Sequence, residues 1–351
     1  MNEQTYQRLR EFLDRLPGGF PVTETGVELK ILRKLFTPEE AEIALQLSVF
    51  PETLAAIAAK LKMPEAEAAA KLENMAKQGL LNRFRVGDNV FYMALQFVIG
   101  IYEFHLNSLD RELAELMEEY LPALYKIWHA TPTKQLRVVP IHSAVDATLA
   151  VDTYDRVREL IKGQSVIAVA PCICAKEKTL MGGKCDRPTE RCLTFGIAAQ
   201  YYIENGLGRK ISEPETLEIL ELAEKSGLVL SPSNAQEIMN ICCCCGCCCG
   251  VIRGLKTFDR PADHVQSSFQ ARIDPELCTA CGACLDRCQI QALKENDTAC
   301  EVDLARCIGC GLCLPTCPED AISLAAKPRT TTLPKNWPEM SLRIMKERGI
   351  I

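Results

Sequence analysis

Cysteine is the residue type here that could do chemistry, and its spacing says which chemistry. Of 351 residues, 20 are cysteine. Cys278, Cys281, Cys284 and Cys288 stand at C-x2-C-x2-C-x3-C, and Cys307, Cys310, Cys313 and Cys317 repeat that spacing 29 residues later, with Pro318 closing the second run. A C-x2-C-x2-C loop wraps three thiolates onto one small iron–sulfide cube, and a fourth thiolate comes from elsewhere. Ile273-Asp274 and Val302-Asp303 precede their runs at the same distance, so the segment is an internal duplication. Gly282, Gly309 and Gly311 fall inside the loops, where the backbone must pass close to sulfide and turn N–H groups toward an anion. Zinc held by paired C-x2-C ligands is the competing explanation, and two duplicated four-cysteine runs suit it poorly.

On these residues, the stretch from about 268 to 326 resembles the bacterial 2[4Fe–4S] ferredoxins over its full length. The resemblance implies two cubanes with crossed ligation, in which the fourth cysteine of each run serves the other cluster. Cluster I would then take Cys278, Cys281, Cys284 and Cys317, and cluster II would take Cys288, Cys307, Cys310 and Cys313. Gln289 departs from the pattern by following Cys288 where that family usually has proline. The change leaves ligation intact and alters the surroundings of cluster II.

Eleven more cysteines lie in the middle of the chain. The apolar run Val166 to Ala170, bounded by Gly163 and Pro171, reads as a buried strand that delivers Cys172 and Cys174 at its carboxyl end. Cys185 and Cys192 follow, and then Cys242 to Cys245, Gly246, and Cys247 to Cys249. Adjacent cysteines rarely satisfy disulfide geometry, and seven thiolates cannot all reach one cube. If Cys242 to Cys245 are extended, Cys242 and Cys244 point away from Cys243 and Cys245. Gly246 and Gly250 permit turns that redirect the rest. Candidate ligands of a middle centre are Cys172, Cys174, Cys185, Cys192, Cys242, Cys244, Cys245, Cys247, Cys248 and Cys249. A further Fe–S cluster is expected there first, structural zinc second and unmetallated packing last. This arrangement resembles, over about 100–326, a poorly characterised group of larger ferredoxin-domain proteins of anaerobic bacteria; the resemblance implies metal binding and redox work and fixes no substrate.

The elements that must position these residues read as an α+β multidomain chain. Expected boundaries are 1–100, a Cys-rich α/β middle at 101–262, the dicluster segment at 268–326 and a tail at 327–351. The amino-terminal part opens with polar Met1 to Phe12 and an amphipathic Glu24 to Lys34. Then Thr37-Pro38-Glu39-Glu40 begins a helix, Glu52 to Lys60 gives a second and Pro64 opens a third ending before Gly79. Phe84 and Val86 alternate with Arg83 and Arg85 before a turn at Gly87-Asp88-Asn89 and the return Val90-Phe91-Tyr92. This order resembles the winged-helix domains of small bacterial regulators. Its candidate recognition helix carries Glu65, Glu67 and Glu73 against Lys71 and Lys77, and residues 37–100 hold six bases and eight acids. A groove-reading helix brings a basic footprint; only Arg83 and Arg85 fit one, and they fit the solvated face of a hairpin better. Docking of a protein is expected rather than of DNA.

In the middle, Leu109 to Leu121 reads as an amphipathic helix, Leu136 to Val139 as a strand, and Tyr154 to Lys162 and Glu213 to Ser226 as helices. The tail should end in a helix from Pro338 to Arg348. His105, His129, His142 and His264 show no metal-ligand spacing, and each reads as a surface or satisfied core residue.

Net charge is −6, and residues 268–326 hold nine acids against four bases. An acidic redox segment favours a redox partner with a basic docking surface over nucleic acid. No apolar leader and no run of ~18 apolar residues is visible. A soluble protein of a reducing, oxygen-poor cytoplasm is expected, with thiols serving as ligands. No dinucleotide fingerprint, Walker loop or acid–base pair stands out. The expected function is one-electron transfer between two [4Fe–4S] clusters and a Cys-ligated middle centre. The alternatives are a redox-sensing regulator and an Fe–S reductase with substrate at the middle centre.

Overall fold

The computed structural model describes residues 2–145, 155–327 and 332–351. Met1 and Tyr154, which enter the sequence reading above, lie outside the described residues. The chain begins with α1 (Asn2–Asp14), α2 (Val27–Leu35), α3 (Pro38–Ala44), β1 (Glu52–Thr53), α4 (Leu54–Leu61), α5 (Glu65–Gln78), β2 (Leu81–Val86) and β3 (Asn89–Ala94). Thr37 and Glu40 cap α3 reciprocally: Thr37 Oγ1 accepts from the Glu40 amide at 3.3 Å, and the Glu40 carboxylate accepts from the Thr37 amide at 2.8 Å. The helix expected over 52–60 starts two residues later, because Glu52 and Thr53 are extended and pair with Tyr92 and Phe91. These strands form a three-stranded sheet in the order β1-β3-β2.

The hairpin is fastened to the body. Arg83, read above as a solvent-facing cation, is only 3% exposed and sits between Glu73 and Glu204, the latter at 2.7 Å. Arg85 lies 3.7 Å from the same Glu204. The partner helix Gly196–Glu204 also supplies Tyr201, whose hydroxyl donates to the Ala76 carbonyl of α5 at 2.5 Å. A tertiary carboxylate fixes Arg83, and strand alternation could not announce it.

Next come α6 (Tyr102–Phe104) and α7 (Arg111–Ala130). The amphipathic stretch expected to end at Leu121 continues through Pro122 to Ala130, because Leu124 and His129 prolong its buried stripe. Then follow β4 (Arg137–Val138), α8 (Val157–Ile161), β5 (Ile167–Pro171), α9 (Ile173–Leu180), β6 (Glu190–Phe195), α10 (Gly196–Glu204), β7 (Arg209–Ile211), α11 (Glu213–Lys225), β8 (Val229–Pro232), β9 (Asn240–Cys244) and α12 (Gly250–Lys256). Five of the strands form an antiparallel sheet in the order β7-β5-β6-β9-β8. Its register sets Ala170 opposite Cys192 and Cys192 opposite Cys242.

The last part holds β10 (Gln266–Ser267), β11 (Phe269–Ile273), β12 (Leu293–Lys294), β13 (Glu301–Val302), β14 (Ile322–Ala326) and α13 (Trp337–Glu347). Here the sequence duplication becomes a structural one. Leu293 pairs with Val302, and the residues 29 positions away, Ile322 and Ile273, pair likewise. Beyond α13, Arg348 returns to the chain's start and donates to the Leu16 and Asp14 carbonyls at 2.6 and 2.8 Å.

Two apolar cores hold this mixed α and β fold. One runs from Tyr6 to Leu207, and the other gathers residues between Val138 and Leu324, including nine buried cysteines. Among the described residues, no helix is long and apolar enough to cross a membrane. All twenty cysteines are unbridged.

Candidate metal centres

Cys278, Cys281, Cys284 and Cys317 line one small cavity with Ile273 and Ile322, so the last cysteine of the second run sits with the first three of the first. The second set is built the same way. Burial pushes the Cys310 thiol up to about 12, helped by Cys288 and Cys307 beside it, and Cys313 is raised by burial and by Cys310, Cys307 and Cys288. Backbone amides point at the sulfurs in duplicated pairs. Ala292 and Ala321 donate to Cys288 and Cys317 at 3.2 and 3.3 Å. The Cys300 and Ala271 amides donate to Cys278 and Cys307 at 3.3 and 3.4 Å. Gly309 is in the left-handed region at φ 68, and a Cβ there would lie 2.0 Å from the Phe269 carbonyl oxygen. No other residue type fits that loop.

The two sets face different surroundings. Cys281 is exposed, as is neighbouring Leu277. In contrast, Cys307 and Cys313 are buried, and the Cys310 carbonyl accepts from the Ile141 amide of the middle region at 3.1 Å. Gln289, the departure noted above, spans the two regions: its Oε1 accepts from the Gly246 amide, inside the cysteine-crowded turn, at 2.8 Å.

The ten candidate ligands of the middle region separate into two groups. Cys185, Cys245, Cys247 and Cys248 place their sulfurs within 4.8 Å of one another. Cys245 and Cys247 are 3.3 Å apart, Cys247 and Cys248 3.5 Å, and Cys185 is 4.0 Å from both Cys245 and Cys247. Thiolates ~2.3 Å from one tetrahedral ion stand about 3.8 Å from each other. The spacing therefore fits a single thiophilic ion. The other six, Cys172, Cys174, Cys192, Cys242, Cys244 and Cys249, stand outside that set; Cys174 interacts with Cys172 and Cys249, and Cys249 with Cys244. Cys172 caps α9, and Cys249 precedes α12. Cys192 and Cys242 line a cavity of about 240 Å³ with Glu103, Tyr202, Thr194 and Asn240. Burial raises the Glu103 carboxyl to about 7, and Cys172 and Cys249 nearby add to it. Cys243, the one cysteine of the run left out of the candidate set, is buried in the second core.

Arg191 is fully buried between the groups. Its Nη2 donates to Cys185 and Cys245 at 3.4 and 3.5 Å, while Nε and Nη1 have no hydrogen-bond partner. Its other close neighbour is Cys172, whose thiol is drawn down to about 6 by Cys174 and by this guanidinium. A buried cation with sulfur as its neighbour on both sides needs negative charge there.

Residues 270–326 match the family model described as a 4Fe-4S dicluster domain. This part of the chain is an iron–sulfur domain. No curated protein and no solved structure matches the chain. The donor set fits the clusters of such a domain: eight thiols in two groups, amide donors on four of them, and loops that admit only glycine at a close approach.

Two features escaped the sequence. Cys300 is a fifth thiol on the cavity of Cys278, Cys281, Cys284 and Cys317. Its signal was the duplication, since it stands 29 residues after Ala271 and its amide plays the same role. His129 and His264 have no motif spacing, yet their rings lie 5.3 Å apart beside Phe258. His129 is buried, with the His264 ring beside it.

Proposed function

We propose that the protein is an iron–sulfur electron-transfer protein that carries single electrons between an external redox partner and a Cys-ligated centre in its middle region. Cys278, Cys281, Cys284 and Cys317 would hold cluster I; Cys288, Cys307, Cys310 and Cys313 would hold cluster II. These [4Fe–4S] groups would supply low-potential one-electron exchange. The observation that carries the reading is the bridge from Gln289, next to a cluster II ligand, to Gly246, between Cys245 and Cys247. It joins the set holding Cys288 to the middle thiols, while the other set includes exposed Cys281. The acidic balance of 268–326 favours a partner with a basic patch. Cys185, Cys245, Cys247 and Cys248 would bind one iron or zinc ion as the middle centre. The setting would be a reducing, oxygen-poor cytoplasm.

The winged-helix-like amino-terminal region would dock a protein. The burial of Arg83 between Glu73 and Glu204 supports this, because that arginine is not left for phosphate. Duplex DNA should bind only non-specifically, and a sequence-selective complex that persists at physiological salt would overturn that part.

The test of ligation is Cys317→Ser in the full chain, purified anaerobically. The electron paramagnetic resonance signal expected to change is that of the cluster on Cys278, Cys281 and Cys284. Loss of the signal belonging to Cys307, Cys310 and Cys313 instead would sink the crossed assignment.

A further inference from the structure

The cavity that Cys192 and Cys242 border extends well past the thiols. We propose that it binds a small neutral organic molecule, mostly apolar and carrying a hydrogen-bond donor. The proposal goes beyond the electron-transfer reading and rests on neither metal centre.

Three separate parts of the chain close around this space. The hairpin of β2 and β3 gives Phe84 and Met93, α10 gives Ile197 and Ala198, and α13 gives Trp337 and Met345. Close-packed interiors leave few voids larger than a water molecule, and this one is about 240 Å³. An apolar cavity of about 150 Å³ takes benzene, so there is room here for roughly ten non-hydrogen atoms. Phe50 and Leu342 also line it and are exposed, which puts the mouth at the surface. Thr194 and Tyr202 are buried and mark its inner end.

Unpartnered oxygens are the second, independent observation. Asn82, Gln96 and Thr194 line the cavity and are 8, 6 and 3% exposed. The side-chain oxygens of all three, and that of Ser341 on the α13 wall, have no hydrogen-bond partner. A buried acceptor left unmade is costly. Gln96 shows which chemistry is wanted. Its Nε2 donates to the Val98 and Ile99 carbonyls at 3.0 and 3.1 Å and to Gln135 Oε1 at 2.5 Å, so its free end is the oxygen. Amide oxygens only accept, and the donor falls to the ligand. Charge excludes other classes. Among the described residues no lysine, arginine or histidine lines the cavity, and Glu103 does, so an anion would be buried unpaired. A cation would give up its hydration among apolar walls.

The experiment titrates the full-length protein, purified anaerobically, with four probes of similar size by calorimetry. They are indole, which carries an N–H donor, its hydrocarbon counterpart indene, benzoate and benzylammonium. Indole should bind saturably and about fivefold more tightly than indene, as one added hydrogen bond implies. The two ions should not bind. Methionines with ¹³C-labelled methyl groups locate the site: the Met93 and Met345 signals should shift with indole, and those of Met75 and Met117, elsewhere in the core, should not. Ala198→Phe should abolish binding by filling the space, and Asn82→Leu should weaken indole and leave indene unchanged. Absence of saturable indole binding overturns the proposal, and so does tighter binding of either ion. Equal affinity of wild type for indole and indene refutes the donor requirement. If Ala198→Phe does not fold, the wild-type ranking and the methyl shifts still decide, because shifts confined to Met75 or Met117 would place the ligand outside this cavity.

Discussion

The dicluster domain and the middle region both assemble thiols in small groups, but they hold the sulfurs' charge in different ways. In the dicluster domain, backbone amides do it. Ala271, Ala292, Cys300 and Ala321 each donate to a cysteine sulfur, and they come in duplicated pairs. In the middle region a single side chain does it, since Arg191 donates to Cys185 and Cys245 and also flanks Cys172. Amides are distributed and belong to the loops themselves, so each thiol set there is self-sufficient. One shared guanidinium instead makes two thiol groups depend on a single residue.

The comparison breaks most severely at the backbone. Gly309→Ala should abolish iron binding by the dicluster domain, because the new Cβ would meet the Phe269 carbonyl at 2.0 Å; a loss of about 4 kcal/mol or more is expected. Gly282→Ala shares the left-handed φ, 73, but its Cβ meets nothing nearer than 3.9 Å. It should cost only ~1 kcal/mol. Thermal unfolding with iron counts checks both, and equal losses would show that loop crowding is not what shapes the site.

Arg191→Met should destabilise the chain by about 3 kcal/mol, as expected when one partner of a buried charged group is removed. Metal should fall in the middle region while the dicluster signals persist. A variant with full metal content would mean that the guanidinium plays no part in holding the thiols' charge.

Away from the sulfurs, His129 offers a pH test. Burial lowers its pKa to about 4, with His264 and Lys134 contributing. The folded protein therefore keeps the ring neutral while the unfolded chain takes up a proton below about 6.5. Stability contributed by the neutral ring is complete above 6.5 and declines as pH falls toward 4. After allowing for partial solvent access, the loss is on the order of 2 kcal/mol. His129→Phe should flatten the acid limb of the stability profile by that amount, and an unchanged limb would refute it.

The smallest effect is expected at the join. Gln289→Ala removes the acceptor of the Gly246 amide and should cost ~1 kcal/mol with all cubane signals retained. Electron equilibration between the regions, followed by rapid reduction, should slow. An unaltered rate would place the route elsewhere.

The sequence by itself determined the dicluster domain. Its thiol spacing is written into short loops, each loop sits within a few residues of the strand that supports it, and the 29-residue repeat states the pairing twice. The helix start at Thr37 was legible for the same reason, since a cap and its partner amide are three residues apart. Only the tertiary structure decided how the middle cysteines divide. The alternation along Cys242 to Cys245 says that neighbours part, but whether Cys245 meets Cys185 or Cys172 depends on where β5, β6 and β9 lie in one sheet. Arg83, His129 and Arg191 were equally illegible, because their partners Glu204, His264 and Cys245 lie 121, 135 and 54 positions away. Local sequence specifies groups that one turn can bring together; contacts across a sheet are set by the packing of the whole chain.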